Sequence, residues 1–193
     1  MPEIIPTRII WSSGSMLGVR RSRLDDPIAR QTPLRVPSAF AEVFPDGSAS
    51  GTELVLNVLR TAQLLLARVT AAIQPFGLSP AGFSLLDVLA NAGEPLSPRV
   101  ISQRLLVAPQ TLTSLLDSLE RRGLIRRTPH PRDRRAILVV ATEAGSALLH
   151  AACTPVVAGE MEWTRSLRES ERQTLIALLG RLQASLYAES EAP

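Results

Sequence analysis

The chain has 193 residues, 45% apolar and 20% charged, with a mean hydropathy of +0.13. That is enough apolar material for a packed core, as one domain or one domain with an extension, and it excludes a chain disordered throughout. The net charge is a modest +3, yet all 21 basic residues are arginine.

Further exclusions follow from what the text lacks. No uninterrupted apolar run approaches the roughly 18 to 20 residues that cross a bilayer, so no membrane partner is expected. One cysteine excludes an intrachain disulfide framework and a cysteine-rich zinc site. The first residues show no charged-then-apolar leader pattern, and a cytoplasmic protein is expected. There is no Gly-rich phosphate loop and no nucleophile–base constellation, and the two histidines are far apart. An enzyme is therefore not expected, nor is a metal or a cofactor.

Residues 1–50 are rich in Pro, Ser and Gly without sustained periodicity; Pro6, Pro27, Pro33, Pro37 and Pro45 break any long helix. Residues 1–23 read as a disordered tail. Residues 24–50 read as a partly ordered lead-in, with Phe40 and Phe44 as docking candidates. From about Gly51 a helix is predicted, because Leu54, Val58, Leu59, Ala62, Leu65, Leu66, Val69 and Ile73 recur at spacings of three and four, until Pro75 and Gly77 end it. Ser79-Pro80 and Ser97-Pro98 each start a further helix, serine capping free N–H groups and proline at the first position losing nothing. The first carries Phe83, Leu86 and Leu89 on one face, the second Ile101 and Leu105.

Pro109 opens a fourth helix with Leu112, Leu115, Leu116 and Leu119 as its apolar stripe, stopped at Gly123. Its other face is polar and short-chained: Gln110, Thr111, Thr113, Ser114, Asp117 and Ser118. Residues 124–128 and the β-branched run 136–141 predict a hairpin whose turn, Pro129 to Arg134, is loaded with arginine. Thr142 caps a fifth helix with Glu143 in its positive first turn. A last helix carries Leu175, Leu178, Leu179, Leu182 and Leu186. Helix, short helix, turn, helix and two-stranded hairpin make a mostly α fold: a winged helix-turn-helix with long flanking helices.

The charge distribution singles out one part of this plan. Residues 99–135 hold nine arginines against three acids, net +6, twice the charge of the whole chain. Residues 51–98 hold two against three, and 136–193 four against seven. A concentrated basic segment in a near-neutral chain is the footprint of a polyanionic partner, and this window is the predicted fourth helix and hairpin. A winged-helix module used only for protein contacts is the alternative, but it has no need for arginines beside a polar helix face.

The text from Leu96 to Leu149 resembles the MarR family of bacterial transcriptional regulators. The specific pieces are LERRGLIRR at 119–127, then Asp133-Arg134-Arg135, then Thr142-Glu143-Ala144-Gly145. Residues 51–188 are similar to the family throughout. Two departures are Ala141 before Thr142, where the family has leucine, and Ala108, where a Ser or Thr usually caps the fourth helix. The resemblance implies a homodimer built from helices over 51–76 and 143–188, a DNA-binding lobe over 77–142, and double-stranded DNA as partner. It also implies a small aromatic or phenolic effector and, by default, repression.

In such a protein Gln110, Thr111, Thr113 and Ser114 are the candidate base-reading residues. Arg99, Arg127, His130, Arg132, Arg134 and Arg135 are the wing and phosphate candidates, with Asp133 expected to shape the wing. Arg68 and Trp163 are weighed for a ligand pocket. Cys153, in an Ala-Ala-Cys stretch without a neighbouring arginine, reads as small buried filler rather than a redox sensor.

Overall fold

The computed structural model describes residues 33–131 and 136–190. The tail over 1–23 and the turn residues Arg132, Asp133, Arg134 and Arg135 lie outside the described residues. The chain divides into two compact units, the first ending at Ala67 and the second starting at Arg68.

In the first unit the described part of the proline-broken lead-in forms one four-residue helix, α1 (Phe40–Val43). Phe40 is its buried residue, with its ring centroid 5.3 Å from that of Phe44. Helix α2 (Ala49–Ile73) starts two residues before Gly51, because the Ser48 hydroxyl accepts from Gly51 N–H at 3.0 Å and supplies the start signal. The segment before α1 is held along the first turns of α2 by polar groups. Asn57 both accepts from Leu34 N–H at 2.8 Å and donates to Leu34 C=O at 2.9 Å, while Glu53 accepts from Val36 N–H at 3.0 Å and from the Arg35 guanidinium at 2.7 Å.

The second unit builds its core from short helices packed on the hairpin. A 3-10 turn (Gln74–Phe76) ends α2, and Gly77 takes the left-handed conformation (φ 64°) that lets the chain reverse. Helices α3 (Pro80–Ala90) and α4 (Pro98–Leu105) begin as the Ser-Pro pairs dictate: Ser79 Oγ accepts from Gly82 N–H at 3.1 Å and Ser97 Oγ from Val100 N–H at 3.4 Å. Leu106 follows in the left-handed region (φ 52°) with its side chain 72% exposed. Helix α5 (Pro109–Arg121) starts at Ala108 with no side-chain cap and buries Leu112, Leu116 and Leu119.

Strands β1 (Ile125–Pro129) and β2 (Ile137–Ala141) pair antiparallel, Ile125 opposite Ala141 and Pro129 opposite Ile137. The sheet has one further partner that sequence reasoning did not supply. Leu96, just before α4, exchanges two backbone hydrogen bonds with Val139, at 3.1 and 2.8 Å. Helix α6 (Glu143–Trp163) is capped by Thr142, whose hydroxyl accepts from Gly145 N–H and donates to Gly123 C=O at 2.7 Å. It runs through Pro155 without ending. Helix α7 (Glu169–Ser190) completes the described chain.

The core comprises Ile73, Leu78, Leu85, Leu86, Leu89 and Leu96, continued by Ile101, the α5 leucines, Leu124, Ile125, Val139, Leu149, Ala152 and Val156. The long helices α2 and α7 contribute little to it. Of the predicted α2 stripe only Ile73 is buried, and Leu54, Leu59, Leu65 and Leu66 are exposed. On α7, Leu175, Leu178 and Leu186 are exposed as well. The span Ala49–Phe76 also meets the length and average composition of a bilayer-crossing helix, with a mean hydropathy of 1.3 over its best window. No uninterrupted apolar run is present, since Asn57, Arg60 and Gln63 cut the segment without lowering its average enough to fail that test. An arginine midway along such a segment is costly in lipid. A partly polar helix with one uncovered apolar stripe instead fits contact with protein.

Candidate nucleic-acid interface

Gln110, Thr111, Thr113 and Ser114 are all exposed on the first turns of α5, opposite its buried leucines. The structure therefore brings the four reading candidates onto one surface. It also orients two hydroxyls. Thr113 Oγ1 donates to Pro109 C=O at 3.0 Å and Ser114 Oγ to Gln110 C=O at 3.3 Å. Each hydroxyl proton is thus committed to the helix, leaving oxygen lone pairs outward.

The arginines surround this face unevenly. Arg99 at the start of α4, Arg104 near its end, Arg121 and Arg122 at the end of α5, and Arg126 on β1 are exposed. Arg122 also donates to Gly77 C=O at 2.8 Å and so ties the end of α5 to the turn before α3. His130 is half-buried at the mouth of the wing, where its backbone N–H donates to Ala136 C=O at 3.0 Å.

Arg127, expected at a phosphate, is engaged otherwise. Its Nη1 lies 2.6 Å from Glu120 Oε2 and its Nη2 2.6 Å from Asp117 Oδ1, and its backbone N–H donates to Glu120 Oε1 at 3.1 Å. Nothing in the type of residue at 127 could announce this. The partners lie seven and ten positions back, across the turn at Gly123 (φ 68°) that reverses the chain.

The other residues weighed for function separate clearly. Arg68 is exposed and Trp163 half-buried. Cys153 is half-buried beside the core, and burial, aided by the charges of Asp87 and Glu160, pushes its thiol above the usual range. A thiol held protonated is a poor nucleophile. Among the described residues no group of His, Cys, Asp and Glu could hold a metal ion.

A reading helix with a polar face, set in a helix-turn-helix and followed by a basic two-stranded wing, defines a winged helix-turn-helix DNA-binding protein. Residues 76–136 match the model of the MarR family. The chain is 35% identical to the HTH-type transcriptional regulator PecS of Dickeya dadantii over 136 residues, covering 69% of this chain and 82% of that one. Among solved structures, a MarR-family transcriptional regulator from Rhodococcus sp. RHA1 superposes with a TM-score of 0.64 at 26% identity, over 70% of this chain and 96% of the other. A cysteine-to-serine mutant of E. coli MarR complexed with operator DNA does so with a TM-score of 0.64 at 25% identity, over 76% and 99%. The chain belongs to the MarR family of transcriptional regulators.

Proposed function

We propose that the protein is a cytoplasmic homodimeric repressor that reads a pseudo-palindromic operator and releases it on binding a small aromatic effector. The observation that carries the reading is the single exposed face formed by Gln110, Thr111, Thr113 and Ser114, flanked by exposed arginines on α4, α5 and β1. In the major groove, Gln110 pairs with an adenine edge. Thr113 and Ser114, with their protons turned inward, accept from adenine N6 or cytosine N4, and the threonine methyl groups meet thymine methyls. Arg99 and Arg126 reach phosphates, and His130, directly after β1 at the turn end of the hairpin, joins Arg132, Arg134 and Arg135 as proposed wing contacts to the backbone or minor groove, with Asp133 in the proposed wing-shaping role.

Dimerisation follows from the uncovered apolar residues of α2 and α7, which a second copy of the chain would bury; a symmetric twofold is the commonest arrangement. Two reading helices about 34 Å apart would then address half-sites one turn of DNA apart. Residues 77–142 form the DNA-binding lobe in this scheme. An effector would act by binding unequally to the operator-competent and incompetent spacings.

Selection of genomic fragments by the purified protein at moderate salt tests the reading. The expected result is a recurrent inverted repeat, with Gln110→Ala relaxing preference at one position per half-site. Binding that is equally strong on all sequences would overturn it.

A further inference from the structure

Resting on that regulator reading, we infer that Arg127 is a positioning residue and not a DNA contact: it locks the wing strand to the reading helix and cancels two carboxylates which that helix carries beside its reading face. Asp117 stands on the same helical stripe as Gln110, Thr113 and Ser114, at spacings of three and four. Its side chain is 51% exposed. Left alone, an acid there faces the phosphates and opposes binding. Glu120, one turn further, adds a second.

Arg127 meets both carboxylates with the two ends of one guanidinium, each at 2.6 Å, and its side chain is only 25% exposed. Both terminal nitrogens of the fork are engaged on the protein, while Nε is buried without a partner. Glu120 also takes the Arg127 backbone N–H, an amide of β1 that is not given to β2. One acid therefore holds the strand by its main chain and by its side chain together. Strand alternation turns the neighbouring Arg126 outward, and that residue is exposed. Lysine has the charge but not the planar fork, so it cannot bridge both acids.

Anisotropy titrations of the full-length chain on the site that the wild type selects test this, with thermal melts confirming that each variant folds. The expected results are these. Asp117→Asn weakens binding several-fold, although loss of a negative charge alone would strengthen it. Arg127→Lys loses nearly as much as Arg127→Gln, about tenfold. Arg127→Gln adds less than about twofold in an Asp117→Asn, Glu120→Gln background, because coupled residues are not additive. A phosphate contact gives the opposite pattern, and that pattern overturns the inference: Asp117→Asn tightens binding, Arg127→Lys is near wild type, and Arg127→Gln costs the same in both backgrounds while removing about 0.9 from the salt slope. If the wild type selects no sequence, it is the regulator reading that fails. The lock is then judged without DNA, by amide exchange. Glu120→Ala should accelerate exchange at the Arg127 amide by about tenfold or more and leave the Val139 amide, bonded to Leu96, unchanged. Unchanged exchange at Arg127 overturns the lock.

Discussion

Gly145 gives the sharpest test of how the wing is anchored. Replacing glycine by alanine inside a helix ordinarily stabilises a protein by about 1 kcal/mol. In the first turn of α6 the sign should reverse. A Cβ at Gly145 would overlap the Leu124 carbonyl oxygen and lie 2.9 Å from its carbon and 3.3 Å from its Cα. Apolar carbons sit at about 3.5–4.0 Å, so the Leu124 peptide must withdraw by about 1 Å. That peptide is backbone at the entry to β1, and it accepts from Thr142 N–H at 3.0 Å while Thr142 Oγ1 holds Gly123 C=O at 2.7 Å. Losing both bonds costs about 1 kcal/mol each, and forcing a methyl between packed elements costs about 1–3 kcal/mol more. Against the gain in helix propensity, Gly145→Ala should lose about 2–4 kcal/mol. For a chain of this size that is about 5–15 °C in Tm. Urea unfolding followed by circular dichroism, at one fixed chain concentration because dimerisation would shift the midpoint, measures it. A variant as stable as the wild type would show that α6 and β1 do not approach so closely.

Three further outcomes are expected. Leu106→Gly should raise stability by up to about 1 kcal/mol: a leucine in the left-handed region costs about 1–2 kcal/mol, part of which glycine returns as backbone entropy, and little packing is lost from an exposed side chain. A lower Tm would mean that the Leu106 side chain is held by something other than this chain. Glu53 has a pKa below the carboxylate value of 4.5, first through the Arg35 hydrogen bond and then through Val36 N–H. A depressed pKa contributes attachment that is complete above 4.5 and fades as pH falls through the lowered value. Exchange protection of the Val36 amide should therefore be constant near neutrality and lost in acid. In Glu53→Gln it should be weak at every pH, and equal protection in the two proteins would refute the link. Cys153, with its pKa raised by burial, should react with a thiol reagent at neutral pH more slowly than free cysteine, and dilute peroxide should leave DNA binding unchanged. Rapid modification with loss of binding would overturn the reading of Cys153 as filler.

What the sequence disclosed is what local chemistry decides. Ser79-Pro80 and Ser97-Pro98 announce α3 and α4 because cap and first turn are adjacent in the chain. The α5 stripe is legible because burial repeats at the helical period. The α2 and α7 stripes are equally legible as patterns, but a pattern does not say whose surface covers it, and Leu59, Leu65 and Leu178 stand exposed. The Leu96–Val139 bridge joins residues 43 positions apart through two backbone bonds that no side-chain type signals. Helix α2 starts two residues before the predicted Gly51, because Ser48 caps it outside the apolar periodicity that marks the helix in the sequence.

The basic window shows the same limit in its electrostatics. Counting charge over 99–135 finds the region proposed to face DNA but treats its nine arginines as equivalent. The structure divides them. Arg127 is consumed in a cluster with Asp117 and Glu120 that is acidic by one charge on balance, and Arg122 is partly committed to Gly77. In the proposed function the attraction toward a polyanion then falls, among the described residues, to the exposed Arg99, Arg104, Arg121 and Arg126. In the positioning role proposed for it, Arg127, half-buried against acids on the reading helix, does more for recognition by holding geometry and hiding charge than it would at a phosphate. A phosphate contact adds the same increment on every sequence, whereas the angle between helix and wing sets which bases and which backbone positions can be met together.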